Sequence, residues 1–469
     1  MTVLTLDLGT SATKAALWDG ARLVAITRAT LRTTHPLPGW AEQDPASWWG
    51  SVVDACRELQ RDKPSAYAAI DAVGCSAARE TFALFDADLQ PVSAGILWSD
   101  RRADDEMGSL GDADAFRSRT GVIASAGCCA AKLAWVQRHE PDVYASTRWV
   151  LAPRDLVFAC LTGEVATDET LASRTGWCDL DGSLVEGAPA DRLPPVVEST
   201  QRFPTVASTR VAALGLRAEI PIVIGAGDRA CEVLGVGASE HSPMVSWGTT
   251  ANVSVPHPGP TEALPSVAQV SRGALGGFVV EAGLSAAGAA IGWLATLTGR
   301  SHDELLAAAA DVEPGAAGVL AMPWLAGARA PWWQSDTHAA FVGLSEAHGP
   351  PELARAVLEG VAFDVTRCVE LVAPEAQELS LAGGGAADAV WRQVLTGITG
   401  LPAVRRAIDD ASSVGARLLV AAARAEALEV DDLNPSVGRE EPEPALVEVY
   451  AELRGRADGV ARAVLGVDG

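Results

Sequence analysis

A chain of 469 residues, 48% hydrophobic and 20% charged, has the make-up of a folded globular protein and exceeds what one compact core supports, so two large domains are expected. Its net charge of −24 excludes long-range attraction to nucleic acid or to an acidic membrane surface. No apolar run is long enough to span a bilayer, and the first residues read as a strand rather than a cleavable leader, so the expected location is cytoplasmic. The eight cysteines form no C-x-x-C pair and read as reduced core residues; for the adjacent Cys128-Cys129, core packing outranks redox chemistry.

In chain order, Val3 to Trp18 reads as a buried β-hairpin around Gly9-Thr10-Ser11. Its turn offers backbone N–H groups and hydroxyls to an anion, Asp7 could hold a divalent metal through water, and Lys14 could reach a phosphate. Alone, the stretch reads first as an ordinary hairpin with a solvated Lys14. Asp44-Pro45 marks a helix start, with the helix running from Ala46 to about Leu59. A strand at Ala72–Cys75 leads through Arg79-Glu80 to a second strand at Phe82–Phe85, which puts that pair at a bend where ligand-facing groups are found. Trp98 ends an apolar strand and suits a pocket wall, whereas Asp100, Arg101 and Arg102 read as a surface salt-bridge cluster. Helices are expected around Ala131–Arg138 and Pro153–Leu161, and a loop over Asp179–Leu193.

The buried strand Pro221–Ile224 ends in Gly225-Ala226-Gly227-Asp228-Arg229. Asp228 there is placed for acid–base work or for capping the next helix. A second strand–turn–strand at Met244–Val255 carries Gly248-Thr249-Thr250-Ala251, which restates Gly9-Thr10-Ser11-Ala12 after 239 positions, close to half the chain. Two halves of similar architecture follow from that repeat, 1–240 and 241–469. Further on come Gly- and Ala-rich Phe278–Ile291, a helix at His302–Ala310, a loop with Trp324, Arg329, Trp332 and Trp333, and a long helix from Pro351 to about Leu371. The strand Glu378–Ala382 then runs into Gly383-Gly384-Gly385-Ala386, where glycines let a flat group lie against backbone. A small-residue helix at Ala411–Ala425, an acidic surface connection at Glu429–Pro444 and a final helix complete the chain.

Together these segments, from Val3 to about Ala425, resemble the FGGY carbohydrate kinases of the actin, hexokinase and chaperone superfamily. The resemblance implies an α/β fold of two ribonuclease-H-like domains facing across a catalytic cleft. It implies ATP and Mg²⁺ as cofactors, with Asp7 on the metal and Gly9, Thr10, Ser11, Lys14, Gly248, Thr249 and Thr250 on the phosphates. Gly383, Gly384, Gly385 and Ala386 match the adenosine motif, and Asp228 falls on the catalytic base. The stretches Gly39 to Trp49, Lys132 to Pro141 and His348 to Gly360 resemble xylulokinases, which implies a xylulose-like ketose as acceptor.

Two places depart from that pattern. Where xylulokinases carry Gln-Met-His, this chain has Ala78-Arg79-Glu80, and Arg79-Glu80-Thr81 instead resembles the polyol grip of glycerol kinases, whose next aromatic is replaced near Gly127. Arg229 stands where an amide normally follows the catalytic aspartate and suits a substrate with some negative charge. The expected substrate contacts are thus Arg79, Glu80, Trp98, Asp228 and Arg229, although Arg79 could also simply pair with Glu80 or Asp100. A dinucleotide-binding oxidoreductase is suggested by Gly225-x-Gly227-x-x-Ala230, but the acidic residue expected about 20 positions later is missing. A non-catalytic ATP-binding protein of the same superfamily would not need Asp228 with the polar substrate loop. The partners expected are a small sugar or polyol and ATP, with a homodimer as the general expectation for assembly.

Overall fold

The computed structural model describes residues 1–259, 266–334 and 336–466, which leaves the last three residues of the second expected half outside the description. The first strand, β1 (Thr2–Leu8), is buried along its whole length, and the alternation of its side chains divides two cores. Leu4, Leu6 and Leu8 pack with Val52 and Leu59 of helix α1 (Pro45–Asp62). Val3 instead packs with Val414 and Val420 of a helix from the far end of the chain. Asp7 shares the parity of Val3, so the carboxylate is directed towards that distant helix.

β1 pairs antiparallel with β2 (Ala12–Asp19), and β2 with β3 (Arg22–Thr30). On its other side β1 pairs parallel with β4 (Ile70–Ala77), followed by β6 (Pro221–Gly227) and the antiparallel β5 (Arg202–Pro204). The second sheet repeats this plan. Its hairpin is β7 (Met244–Trp247) with β8 (Ala251–His257), continued by β10 (Phe278–Leu284) and β9 (Gln269–Arg272). On the other side of β7 lie the parallel β11 (Leu379–Ala382) and β12 (Ala403–Arg406), and then antiparallel β13 (Ser436–Glu440). The four-residue echo in the sequence is therefore the visible part of a repeated sheet.

Both expected hairpins, the α1 start and the long helix are present. Asp44 caps α1 by accepting from Ala46 N–H, and the long helix runs Pro350–Val372. The stretch Phe278–Ile291 divides into β10 and the start of a helix at Gly288–Thr298. The segment expected to be a surface connection, Glu429–Pro444, contains a short helix and β13, because its extended residues pair with β12.

The distant helix is Ala411–Ala423, here α3, and it lies on the first sheet and against α2 (Asp228–Gly235). The two helices touch through backbone. A Cβ on Gly415 would stand 1.9 Å from Cys231 O, and one on Gly235 would stand 2.0 Å from Ala411 O. Small residues at the crossing thus let α2 and α3 run antiparallel in backbone contact, with the C-terminal end of α2 against the start of α3, and the start of α3 lies beside Asp7 and Lys14 of the first hairpin.

Candidate active site

Asp7 and Lys14 face each other as register partners across the first hairpin. Lys14 Nζ lies 3.3 Å from Asp7 Oδ2 and 2.5 Å from Asp410 Oδ1, just before α3. Ser412 Oγ donates to Asp7 Oδ2 at 2.8 Å, while Ser413 donates to Asp410. Burial raises the Asp7 carboxyl against the opposing pull of Lys14, and the flanking carboxylates with burial overcome leave Lys14 held firmly protonated. Asp7 Oδ1 is buried without a hydrogen-bond partner among the described residues. A buried, unpartnered carboxylate oxygen beside a lysine and two hydroxyls is a donor set that suits a hydrated divalent cation and phosphate. Asp410, Ser412 and Ser413 were missed in the sequence because they are about 400 positions from Asp7.

Gly9, Thr10 and Ser11 form the turn of this hairpin, with Gly9 N–H on Ala12 O at 3.1 Å. Trp98, half-exposed, donates from Nε1 to Thr10 Oγ1 at 3.1 Å, which joins the expected pocket wall to the turn. Asp100 and Arg102 are a correction to the surface reading. Both are buried, Arg102 donates to Asp100 and Glu42, and its guanidinium stacks 3.8 Å from the Trp40 ring; of the three, only Arg101 is exposed.

Asp228 is the first residue of α2, and the capping position belongs to Gly227. Its Oδ1 accepts from Arg229 N–H at 2.7 Å and lies 3.3 Å from Arg79 Nε. A buried network fixes this point of the chain. Arg154 donates to Ile224 O and to Asp168, Asp168 accepts from Thr170, and Gly227 N–H donates to Thr170 Oγ1 at 2.8 Å. Just upstream, β6 changes register between Val223 and Ala226, with Gly225 at φ 79° and Cys75 O where a Cβ would sit. Only glycine fits that bulge, which re-aims the chain into Asp228.

Arg79 does not pair with Glu80 or Asp100. Its Nη1 and Nη2 grip Glu281 of β10 in the second sheet at 2.7 and 2.9 Å. Glu281 also has Arg174 Nη1 at 3.6 Å, Arg229 Nε at 3.8 Å and Asn252 Nδ2 at 3.4 Å. Burial alone would raise this carboxyl, but Arg79 and Arg174 hold it far below the usual carboxylate range. Glu80, with a left-handed backbone at φ 57°, binds Arg174 through Oε1 at 2.9 Å, and its carbonyl accepts from buried Lys132 at 2.6 Å. Arg229 Nη1 bonds Glu232 one turn along α2 at 2.6 Å. The structure therefore brings Arg79, Glu80, Asp228 and Arg229 together, and it adds Glu281, Arg174 and Lys132. One signal in the sequence was available for Glu281, a single acid inside the apolar run Phe278–Leu284.

In the second half, Gly248, Thr249 and Thr250 form the turn between β7 and β8, and Thr249 O accepts from Ala287 N–H and Ala289 N–H. The triple glycine packs on the same hairpin. A Cβ on Gly383 would stand 2.5 Å from Trp247 O, and one on Gly385 would stand 2.8 Å from Trp247 Cδ1, while Gly384 is open. Ala386 is buried, and its carbonyl accepts from Arg392. Cys128 and Cys129 are free and buried, and burial pushes their thiols up to about 11 and about 12. Among the described residues no helix is long and apolar enough to cross a membrane.

The model of the FGGY family of carbohydrate kinases, N-terminal domain, matches residues 2–235, and that of the C-terminal domain matches residues 244–424. The chain belongs to this family and is a carbohydrate kinase, a phosphotransferase with an alcohol as acceptor. It is 34% identical over 414 residues to a xylulose kinase of Escherichia coli K12, covering 84% of each chain. It is 30% identical over 439 residues to a glycerol kinase of Gloeobacter violaceus, covering 88% of this chain and 86% of that one. Among solved structures, a xylulose kinase from Rhodospirillum rubrum superposes with a TM-score of 0.89 at 27% identity, covering 99% of each chain. The oxidoreductase reading ends here, since Gly225 is a bulge residue in a kinase sheet.

Proposed function

We propose that the protein transfers the γ-phosphoryl group of ATP to a terminal hydroxyl of a small open-chain sugar or polyol, with a xylulose-like ketose as acceptor. The observation that carries this reading is the meeting of Asp228, at the start of α2, with Arg79, close enough to the Asp7–Lys14–Asp410 cluster at the start of α3 for Asp228 and Asp7 to act on each other electrostatically. Residues 1–240 hold the sugar in this reading and 241–469 the nucleotide, with α3 reaching back to the first sheet. Asp7 and the hydroxyls beside it would hold Mg²⁺, whose charge neutralises the phosphates when bound. Thr10, Ser11 and Lys14 meet the phosphates from one hairpin, Gly248, Thr249 and Thr250 from the other, and Gly383 to Ala386 support the adenosine.

In the transfer, the acceptor hydroxyl oxygen bonds to the γ-phosphorus as the bridging P–O bond to ADP breaks, and the hydroxyl proton passes to Asp228. Because phosphoryl transfer is loose, alignment of that hydroxyl outweighs the base strength of Asp228. Arg79 and Glu80 face the remaining hydroxyls as donor and acceptor. This Arg-Glu pair favours a second reading, a glycerol- or erythritol-type polyol as acceptor. ADP release coupled to a nicotinamide readout, run with D-xylulose, L-xylulose, ribulose, glycerol, erythritol and erythrulose, separates the two. Phosphorylation of pentuloses supports the first and of polyols the second, and ADP release independent of any acceptor contradicts both.

A further inference from the structure

Lys132 sits near the start of the helix Cys129–His139 and is fully buried, at 0% exposure. Among the described residues no carboxylate pairs with it, and that of Glu80 goes to Arg174 instead. Its Nζ donates to two backbone carbonyls, Glu80 O at 2.6 Å and Leu97 O at 2.9 Å. These carbonyls belong to different segments. Phe82 and Ile96 join the segments through a pair of backbone hydrogen bonds, and Trp98 N–H donates to Thr81 Oγ1 at 3.1 Å. The ammonium ties the two segments together just past that bridge, with the Phe82 ring centroid 5.7 Å away. A small residue lets the chain before the helix come this close, since a Cβ on Gly127 would stand 2.8 Å from Trp98 O.

A buried ammonium without a carboxylate is costly, because burial disfavours its charge, and an apolar side chain would fill the same space. What the charge supplies is two strong hydrogen bonds from one head to carbonyls of two segments. One carbonyl belongs to Glu80, whose φ of 57° is a left-handed backbone that a non-glycine residue holds only where its surroundings impose it. The other immediately precedes Trp98, whose ring Nε1 reaches Thr10. We propose that Lys132 is a positioning residue of the acceptor site: it clamps the backbones that aim the Glu80 carboxylate and the Trp98 ring, and so sets acceptor affinity. Being fully buried, it acts through these two residues and not by contact with the acceptor. The proposal rests on the reading of Glu80 and Trp98 as acceptor contacts.

The test uses the full-length protein with Lys132→Met, which fills a similar volume without a donor, and Lys132→Arg, which keeps charge and donors. In ADP-release assays with D-xylulose and with glycerol, the acceptor KM of Lys132→Met should rise about 10- to 100-fold, the change typical of losing a charged hydrogen bond, with kcat within about threefold of wild type. Lys132→Arg should show a smaller rise, and Mg-ATP affinity by calorimetry should be that of wild type in both. Lys132→Gln, a shorter neutral donor, should fall between them and is the variant to read if Lys132→Met does not fold. Hydrogen exchange followed by mass spectrometry reports the clamp without any acceptor: peptides covering 80–85 and 95–99 should exchange about tenfold faster in Lys132→Met, and residues 3–18 as in wild type. An acceptor KM within about threefold of wild type shows that Lys132 only fills space and overturns the proposal, leaving the kinase reading intact. A parallel loss of Mg-ATP affinity, or faster exchange over 3–18 as well, shows general loosening and overturns it too. If the wild type turns over neither acceptor, the acceptor reading falls, and unchanged exchange over 80–85 and 95–99 then removes the clamp with it.

Discussion

Glu281 ties the second sheet to the substrate loop of the first, and replacing it by Gln isolates that tie. The substitution keeps shape but removes the negative charge that Arg79 Nη1 and Nη2 hold at 2.7 and 2.9 Å, with Arg174 and Arg229 at 3.6 and 3.8 Å, and leaves Arg79 only the Asp228 carboxylate 3.3 Å from Nε among the ion pairs of the described residues. Breaking a buried pair from one side costs about 3–5 kcal/mol where the partner charge is left uncompensated, and the Asp228 carboxylate that stays beside Arg79 places this loss at the lower end of that range. At about 2–4 °C per kcal/mol for units of 150–250 residues, the melting temperature should drop by roughly 10 °C. The Glu281 carboxyl is held below its unfolded value, so its contribution is present above the unfolded pKa of about 4.3 and is lost only as pH falls through the lower folded value. The gap between wild type and Glu281→Gln should therefore be constant from pH 5 to 8 and narrow only in strong acid. Differential scanning calorimetry across that range measures it. Replacing both Arg79 and Glu281 by Met should recover much of the loss, since apolar substitutes remove both desolvation costs. A Glu281→Gln protein within about 2 °C of wild type would falsify the view of Glu281 as the charge that holds the loop.

Three other outcomes follow. Lys14→Met should weaken binding of Mg-ATP by about 10- to 100-fold in calorimetry, because it removes a charged donor from the Asp7–Asp410 cluster, and unchanged affinity would place the phosphates elsewhere. Gly415→Ala should cost about 1–3 kcal/mol in denaturant unfolding, since its Cβ meets Cys231 O at 1.9 Å, and a neutral result would mean α2 and α3 cross less closely. Cys128 and Cys129, with thiols raised to about 11 and about 12, contribute stability that is complete below the unfolded thiol pKa and is lost as pH rises towards those values. Native protein at pH 8 should leave both unlabelled by a thiol reagent, and rapid labelling without unfolding contradicts their burial.

The features legible in the sequence are local. The alternation of Val3 to Trp18, the Asp44-Pro45 start of α1 and the glycines around Asp228 each follow from neighbouring residues, and the Gly248 echo exposed the repeat. What stayed hidden is long-range. Lys14 and Asp410 are 396 positions apart, and Arg79 and Glu281 are 202 apart, so no spacing rule pairs them. Arg102 misled for a related reason: a charged run reads as solvated until Trp40 and Glu42, about 60 positions earlier, fold over it. The packing of α3 on the first sheet is likewise invisible, since its small residues fit any close helix contact.

The most direct test of the proposed chemistry is single-turnover phosphoryl transfer by Asp228→Asn, with nucleotide binding measured on the same preparation. If Asp228 takes the hydroxyl proton, the transfer rate should fall about 10²- to 10⁴-fold while the affinity for Mg-ATP is retained. Transfer within about tenfold of wild type would contradict the assignment, and with it the reading of the start of α2 as the place where the phosphoryl group is passed.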